Sequence, residues 1–376
     1  MKILIVSRSF YPTNTPRAFR TTELVKEFSR QGHDVTLLTL KKEDVHSGFE
    51  KEHGVEILHL GDLRLPVIDA KSTFKPLEYA KRAYKRAVYM LFEYPDIELM
   101  WKVKRKLSEL EGFDLLISIA VPHPIHWGVA AARSGKQKIA NTWIADCGDP
   151  YMGSDMDTFR KLFYFKYFEK AFCRKADFIT VPIEGAIEAY YPEFHEKIRV
   201  VPQGFNFEEV AVNKNEYSGN QVPTFAYAGG LIPGLRDPRP FLDQLTKIKS
   251  EWKFIIYTRD KALIEPHMKN AGAKIEVRDY IPRPELLQTL SKMDFLVNFE
   301  NSSPKMMPSK LIDYHIAGRP ILSVNGSGAD PETLKNFLSG NYSDAFEYPD
   351  IERFRIENVC DRFLKLKDLK IYERGQ

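Results

Sequence analysis

The chain alternates short, β-rich apolar runs with stretches of helical periodicity, and it does so in two successive halves. In the first half a strand is predicted at residues 2–7, a helix at 20–30 and strands at 33–40, 115–120, 139–145, 178–181 and 198–201. The second half restarts with strands at 224–228, 253–258, 274–278, 295–299 and 320–324. Such alternation is typical of parallel sheets covered by helices. It predicts an α/β protein with two Rossmann-like domains.

A length of 376 residues also favours two domains over one. Residues 206–223 are polar and lack a sustained apolar period, as expected of a linker. We therefore predict an N-terminal domain at 1–205, a C-terminal domain at 206–355 and a cleft between them. A helical tail at 356–376 either closes the second domain or returns to the first.

Composition excludes several classes of protein. Hydrophobic residues make up 43% and charged residues 28%, which is typical of a globular chain. The three cysteines are too widely spaced for a disulfide framework or a CxxC metal site, so we expect them to be reduced and buried. A net charge of +4 without a recognition motif argues against nucleic-acid binding. No apolar run approaches about 18 residues, and we expect a cytoplasmic protein.

A glycine pair follows the predicted strand at 224–228. Gly229 and Gly230 would let the backbone approach a ligand closely, and Arg236 adds a permanent cation suited to phosphate. A plain turn has the same composition. The phosphate-binding interpretation therefore needs support from elsewhere in the chain.

That support comes from residues 308–322, with the sequence PSKLIDYHIAGRPIL, which predict a helix and then a strand. Ser309 and Asp313 share one helix face and Lys310 flanks it. The N–H groups and partial positive charge of a helix N-terminus bind a diphosphate, Lys310 would add to that attraction, and Asp313 would accept hydrogen bonds from a ribose. The alternative is an amphipathic helix with a solvated Lys310–Asp313 pair.

This segment resembles the donor-site helix of the retaining glycosyltransferase family 4. Four other stretches resemble the family in the same order: IADCGDP at 144–150, VPQGFN at 201–206, YAGG at 227–230 and YIPR at 280–283. The resemblance implies a GT-B fold, in which two Rossmann-like domains have parallel sheets facing across a cleft. It also implies a nucleoside-diphosphate sugar donor, UDP- or GDP-linked, bound by the C-terminal domain.

The resemblance assigns roles residue by residue. Arg236 and Lys310 would hold the donor diphosphate, Asp313 the ribose, and the backbone around Ile281 the nucleobase. The family's first paired acid would stand at position 305, where this chain has Lys305, and the second acid is Asp313 rather than glutamate. We expect Lys305 to contact the sugar or a phosphate.

The first domain departs further from the family pattern. The loop at 11–17 lacks the adjacent glycines that many relatives use near the diphosphate, and Arg17 and Arg20 are the candidates to replace them. Many relatives also place a histidine near the sugar, in a segment that aligns with residues 146–149, and here that histidine is absent.

Candidate catalytic residues follow two predicted strands, where ligands gather in open α/β sheets. His123 and His126 come after the strand at 115–120, and each could instead be a hydrogen-bonded loop histidine. Asp146 and Asp149 follow the next strand along the chain and could bind acceptor hydroxyls or cap the next helix.

The implied reaction moves a sugar to an acceptor hydroxyl with retention of configuration, and the leaving phosphate assists deprotonation of the acceptor. The main demand is to stabilise the departing diphosphate, for which no metal or other cofactor is expected. Asp155 and Asp157 spell a DxD pair, but we expect that stretch to be solvated. The acceptor would be a carbohydrate or lipid-linked sugar of a bacterial surface polysaccharide or glycolipid. A nucleotide-sugar epimerase and a non-catalytic nucleotide-sugar-binding protein remain alternatives.

Residues 71–106 carry ten Lys or Arg against four Asp or Glu, interleaved with aromatic residues. This pattern suits a helical surface resting on anionic lipid headgroups, and would make the protein peripheral at the inner face of the plasma membrane. An ordinary helical pair with basic solvated faces has the same composition. Both interpretations stay open at this point.

Overall fold

The computed structural model describes residues 1–13, 15–133, 139–153, 160–208, 217–300, 310–347 and 350–375. Contacts divide the chain into two compact units. Unit 1 comprises Met1–Asn206 and Arg353–Gln376, and unit 2 comprises Phe207–Glu352.

In unit 1 the described residues form a parallel sheet of seven strands in the order β3-β2-β1-β4-β5-β6-β7. The strands are β1 Lys2–Ser7, β2 Asp34–Thr39, β3 Glu56–His59, β4 Phe113–Ala120, β5 Ala140–Cys147, β6 Phe178–Val181 and β7 Ile198–Val200. The α-helices are α1 Pro16–Arg30, α2 Glu43–His53, α3 Lys75–Phe92, α4 Glu98–Leu107, α5 Pro124–Ala132 and α6 Phe165–Lys175.

In unit 2 the described residues form a parallel five-stranded sheet in the order β10-β9-β8-β11-β12. The strands are β8 Thr224–Ala228, β9 Lys253–Tyr257, β10 Ile275–Arg278, β11 Phe295–Phe299 and β12 Ile321–Val324. The α-helices are α7 Arg239–Thr246, α8 Glu265–Ala271, α9 Arg283–Leu290, α10 Lys310–Ala317 and α11 Pro331–Leu338, and the last helix of the chain is α12 Ile356–Gly375.

Both faces of each sheet are covered, which explains the nearly continuous apolar strands. In β1, Leu4 contributes to one core cluster of unit 1, and Ile3 and Ile5 contribute to another. Val359 and Phe363 of α12 pack in that second cluster, so the C-terminal helix covers the sheet of unit 1.

The strand pattern in the sequence predicts the sheets to within a few residues, apart from β3. That strand has four residues, of which only Ile57 is buried, so its apolar signal is weak. Helix α1 begins at Pro16 rather than Arg20, because Thr15 caps it by accepting a hydrogen bond from the Ala18 amide.

The three cysteines are buried and unbridged, as predicted. None of the helices in the described part of the chain is both long and apolar enough to cross a membrane.

Candidate functional site

A cavity of about 230 Å³ opens in unit 2 at the carboxyl end of β8. Six of the residues proposed from the sequence line it: Gly229, Gly230, Arg236, Ile281, Lys310 and Asp313. Its volume is below the roughly 300–1,000 Å³ of pockets that enclose a drug-sized ligand. The cavity would therefore enclose only part of a nucleotide sugar. Lys305 and Ser309 lie outside the described residues.

The glycine loop is held tightly at the edge of the cavity. Gly229 has a φ of +149°, a conformation that side chains disfavour, and a Cβ there would lie 3.2 Å from the Tyr227 hydroxyl. Its amide donates to the Tyr257 carbonyl at 3.0 Å. Asp260 fixes the next turn by accepting a hydrogen bond from the Leu231 amide at 2.9 Å.

Lys310, the first described residue of α10, is buried with 9% of its surface exposed. Its ammonium lies 4.3 Å from the centre of the Tyr227 ring and donates to the Tyr227 hydroxyl at 3.2 Å. That hydroxyl donates in turn to the Gly230 carbonyl at 2.8 Å. Burial, reinforced by the charge of Arg236, lowers the pKa of Lys310 to about 7. No carboxylate bonds this ammonium among the described residues.

Arg236 is half-buried on the loop that follows the glycines. The loop closes on itself, since the Ile232 amide donates to the Arg236 carbonyl at 3.1 Å. The Arg236 Nε is buried and has no hydrogen-bond partner among the described residues. Two cations therefore line the cavity, and neither has all of its hydrogen-bond donors satisfied within the described residues.

Asp237 lies just before α7, which begins two residues later, at Arg239. The Asp237 carboxylate accepts from the Arg239 amide at 3.1 Å and from Arg239 Nε at 2.8 Å. These contacts hold its pKa well below the usual range.

Asp313 lies one turn into α10 and accepts a hydrogen bond from Arg283 Nε at 2.9 Å. Burial raises the pKa of Asp313, and Arg283 opposes that rise. The helix is also tied to the sheet through Tyr314, whose hydroxyl accepts from the Ala228 amide at 2.9 Å. The ribose site expected at Asp313 is therefore occupied by an ion pair in this structure.

The histidines of unit 1 lie at the carboxyl end of β4. His126, expected on the ligand side of the sheet, is instead enclosed with 0% exposure, and its Nδ1 lies 2.8 Å from the Ser118 hydroxyl. Burial lowers its pKa to about 4. His123 is 5% exposed, its Nε2 has no partner among the described residues, and burial, with the charges of His126 and Lys161, lowers its pKa to about 3. Both rings are therefore neutral at pH 7.

Asp146 forms a buried ion pair that the local sequence pattern does not predict. Its carboxylate accepts from Arg20 Nε and Nη2, each at 2.6 Å, and from the Thr180 hydroxyl at 2.7 Å. Burial opposes ionisation, but Arg20 outweighs it and lowers the pKa of Asp146. Asp146 is thus paired with Arg20 in this structure, and its role toward acceptor hydroxyls stays a prediction.

The other residues singled out in unit 1 differ in accessibility. Arg20 also donates to the Pro202 carbonyl at 2.6 Å, which uses its guanidinium inside unit 1 rather than on a phosphate. Arg17 lies 4.0 Å from Asp146 and keeps 19% of its side chain exposed. Asp149 is exposed.

In the described part of the chain, no three His, Cys, Asp or Glu side chains are grouped closely enough to hold a metal ion. Asp155 and Asp157 fall outside that part.

Two Rossmann-like α/β units with fully parallel sheets define the fold as that of the GT-B glycosyltransferases. No protein-family model matches the chain, and no curated protein matches it. Solved structures do match it over nearly its whole length.

The apo form of the lipopolysaccharide outer core galactosyltransferase WaaB is 15% identical with a TM-score of 0.52, and the match covers 100% of both chains. Anabaena HepE in complex with UDP is 11% identical with a TM-score of 0.53, again over 100% of both chains. A point mutant of S. aureus TarM, in complex with fondaparinux, α-GlcNAc-glycerol and UDP, is 10% identical with a TM-score of 0.55, over 98% of this chain and 100% of that chain. At such identities the matches establish the fold alone.

Proposed function

We propose that this protein is a glycosyltransferase that takes a sugar from a nucleoside diphosphate, with the donor bound at the cavity of unit 2. The observation that carries the proposal is that two cationic side chains, Lys310 and Arg236, line the same cavity. Lys310 is 9% exposed and Arg236 Nε is buried, and in the described residues neither donor is bonded to a carboxylate.

The physical argument is one of compensation. Burying a cation without a counter-charge costs free energy, and this cost is the reason why the pKa of Lys310 is low. A diphosphate would supply the missing charge to both cations, as hydrogen bonds between ions are the strongest kind in proteins. The glycine loop would let backbone amides approach the same phosphates.

The remaining donor contacts follow from the resemblance to family 4 and the lining of the cavity. The backbone around Ile281 would contact the base, and Asp313 would contact the ribose once the donor competes with Arg283. Lys305 and Ser309 complete the proposed donor set through the resemblance alone.

The proposed reaction is direct transfer of the glycosyl group. The acceptor oxygen bonds to the anomeric carbon, the bond from that carbon to the diphosphate oxygen breaks, and the acceptor proton passes to the leaving phosphate. Lys310 and Arg236 would stabilise the charge that develops on the diphosphate. We infer retention of configuration from the family resemblance, with the leaving group on the same face as the acceptor.

UDP is the first nucleotide to test, because HepE and TarM were solved with it. GDP remains the second choice. WaaB is a lipopolysaccharide outer core galactosyltransferase, which supports a carbohydrate or lipid-linked acceptor of a bacterial surface polysaccharide or glycolipid, reached from the cytoplasm.

The decisive experiment is calorimetric binding of UDP, GDP and their common sugar conjugates, followed by product analysis with and without a sugar-lipid or oligosaccharide acceptor. We expect micromolar-to-millimolar binding of one nucleotide series, and nucleoside diphosphate release that depends on acceptor. Conversion of the sugar nucleotide without acceptor would indicate an epimerase, and binding without any turnover would indicate a non-catalytic binding protein. Failure of every nucleoside diphosphate to bind would overturn the proposal.

A further inference from the structure

Helix α3 exposes the side that a surface helix normally buries. None of its 18 residues is buried. Leu77, Tyr84 and Leu91 are 46%, 61% and 42% exposed, and their spacing of seven residues places them on one face. Ala80 and Ala87 fall between them on the same face. An amphipathic helix of a globular protein usually turns such a stripe inward.

The orientation of α3 is fixed from its other side. Tyr89 lies five residues after Tyr84, about 140° around the helix. The Lys161 ammonium donates to the Tyr89 hydroxyl at 3.2 Å and lies 4.4 Å from the centre of its ring. The polar contact therefore holds the helix to unit 1 and leaves the apolar stripe facing outward.

The charge of α3 complements an anionic partner. The helix carries five basic residues and one acid, Glu78, a net charge of +4. The basic residues are Lys75, Lys81, Arg82, Lys85 and Arg86. Glu78 is already paired with Arg82.

A second exposed aromatic segment lies beside the C-terminal end of α3. Phe163 and Tyr167 are 71% and 61% exposed. The Tyr164 hydroxyl donates to the Leu91 carbonyl, which joins this segment to the helix. Lys166 adds another cation, 5.1 Å from the centre of the Tyr167 ring.

We propose that α3 and residues 163–167 form a docking surface for a membrane with anionic lipid headgroups. The leucines and tyrosines would enter the headgroup boundary, where amphipathic aromatic rings are favoured, and the basic flank would attract the lipid phosphates. This surface goes beyond the proposed transfer reaction and does not depend on it. If both hold, a lipid-linked sugar is the first class of acceptor to test.

The test is flotation of the full chain with vesicles of phosphatidylglycerol and phosphatidylcholine, compared with pure phosphatidylcholine, at about 0.1 M salt. We expect flotation with the anionic vesicles and little with the neutral ones. Each basic residue near an anionic surface raises binding about fivefold. Lys81 and Lys85 are the basic residues nearest to the apolar stripe around the helix, so the double variant Lys81→Gln, Lys85→Gln should bind roughly 25-fold more weakly.

A matched control removes the same charge from exposed positions in unit 2: Lys247→Gln, Lys249→Gln. It should bind vesicles like the wild type. The variant Leu77→Ser, Tyr84→Ser, Leu91→Ser should lose binding that lower salt does not restore. Circular dichroism checks that both α3 variants remain folded.

Calorimetry with UDP reports separately on the cavity of unit 2, so loss of vesicle binding is distinguishable from failure of the donor site. The proposal is overturned if anionic vesicles do not float the chain, or if the α3 variants float as well as the wild type. It is also overturned if light scattering shows a dimer that the leucine and tyrosine changes dissociate, because a second copy would then cover the stripe.

Discussion

Unit 1 and unit 2 each bury a cationic side chain, but the two cations are satisfied very differently. Arg20 of unit 1 is 2% exposed and is surrounded by acceptors, with Asp146 bonded at two points and the Pro202 carbonyl at a third. Lys310 of unit 2 is 9% exposed, and the Tyr227 hydroxyl is its hydrogen-bond partner among the described residues. A buried cation whose hydrogen-bond donors all have partners within the protein stabilises the fold, whereas one with few partners is available to bind a ligand.

The largest effect should come from Arg20. Removing one partner of a buried ion pair leaves the other charge uncompensated, so Arg20→Ala should lower the free energy of unfolding by about 3–5 kcal/mol. Arg174 lies 3.9 Å from Glu193, with 63% and 49% of the two side chains exposed, and Arg174→Ala should cost no more than about 1 kcal/mol. Denaturant titration measures both. Equal losses of unfolding free energy in the two variants would contradict the distinction between a fully hydrogen-bonded buried cation and a solvated one.

Lys310 should show the opposite balance between stability and binding. Lys310→Met keeps an apolar stem and removes the buried charge, so the ligand-free protein should unfold no more easily at pH 6. Binding of the nucleoside diphosphate should weaken by about 1.5–3 kcal/mol, the usual contribution of a charged hydrogen bond. Lys335→Met, on the exposed side of α11, is the calorimetric control and should bind normally. Normal binding by Lys310→Met would remove the basis for the donor site.

Proton uptake on donor binding is a second test of whether Lys310 contacts the diphosphate. With a pKa of about 7, Lys310 is about nine-tenths neutral at pH 8, and a bound diphosphate would raise that pKa. Donor binding should therefore take up about 0.9 proton at pH 8, take up almost none at pH 6, and weaken as the pH rises above 7. Calorimetry in buffers of different ionisation enthalpy measures the uptake. An uptake that persists in Lys310→Met would assign the proton to another group.

Much of the fold could be predicted from the sequence because each strand of a buried parallel sheet is a short, continuous apolar run. The apolar runs at β1, β6, β8 and β11 have the bounds that the structure shows. The partners of the buried charges could not be predicted in this way. Arg20 and Asp146 are 126 residues apart, and their contact depends on how α1 packs across the sheet.

Burial also separates residues that the sequence presents as equals. His123 and His126 stand three residues apart after the same strand, yet only His123 keeps a ring nitrogen without a partner among the described residues. For α3, periodicity predicts an apolar stripe but not which way it faces, because the contact of Tyr89 with Lys161 decides the orientation. The cavity residues of unit 2 could be predicted because short local motifs carry them, and the structure brings them together because the glycines and α10 follow adjacent strands, β8 and β11.

The smallest effect should come from Tyr227, the residue that links the lysine to the glycine loop. Tyr227→Phe keeps the ring beneath the Lys310 ammonium but removes the hydroxyl that bonds both Lys310 and the Gly230 carbonyl. Loss of a neutral hydrogen bond should lower the free energy of unfolding by about 0.5–1.5 kcal/mol, and donor affinity should fall by less than about 1 kcal/mol.

Tyr217→Phe is the matched control, because its hydroxyl donates to Asp294 elsewhere in unit 2. It should lower stability without changing donor affinity. If Tyr227→Phe instead weakens donor binding as much as Lys310→Met does, the Lys310 ammonium binds only while the hydroxyl and the glycine loop hold it in place. The contrast between the two buried cations would then no longer explain binding, because the charge of Lys310 alone would not account for the affinity.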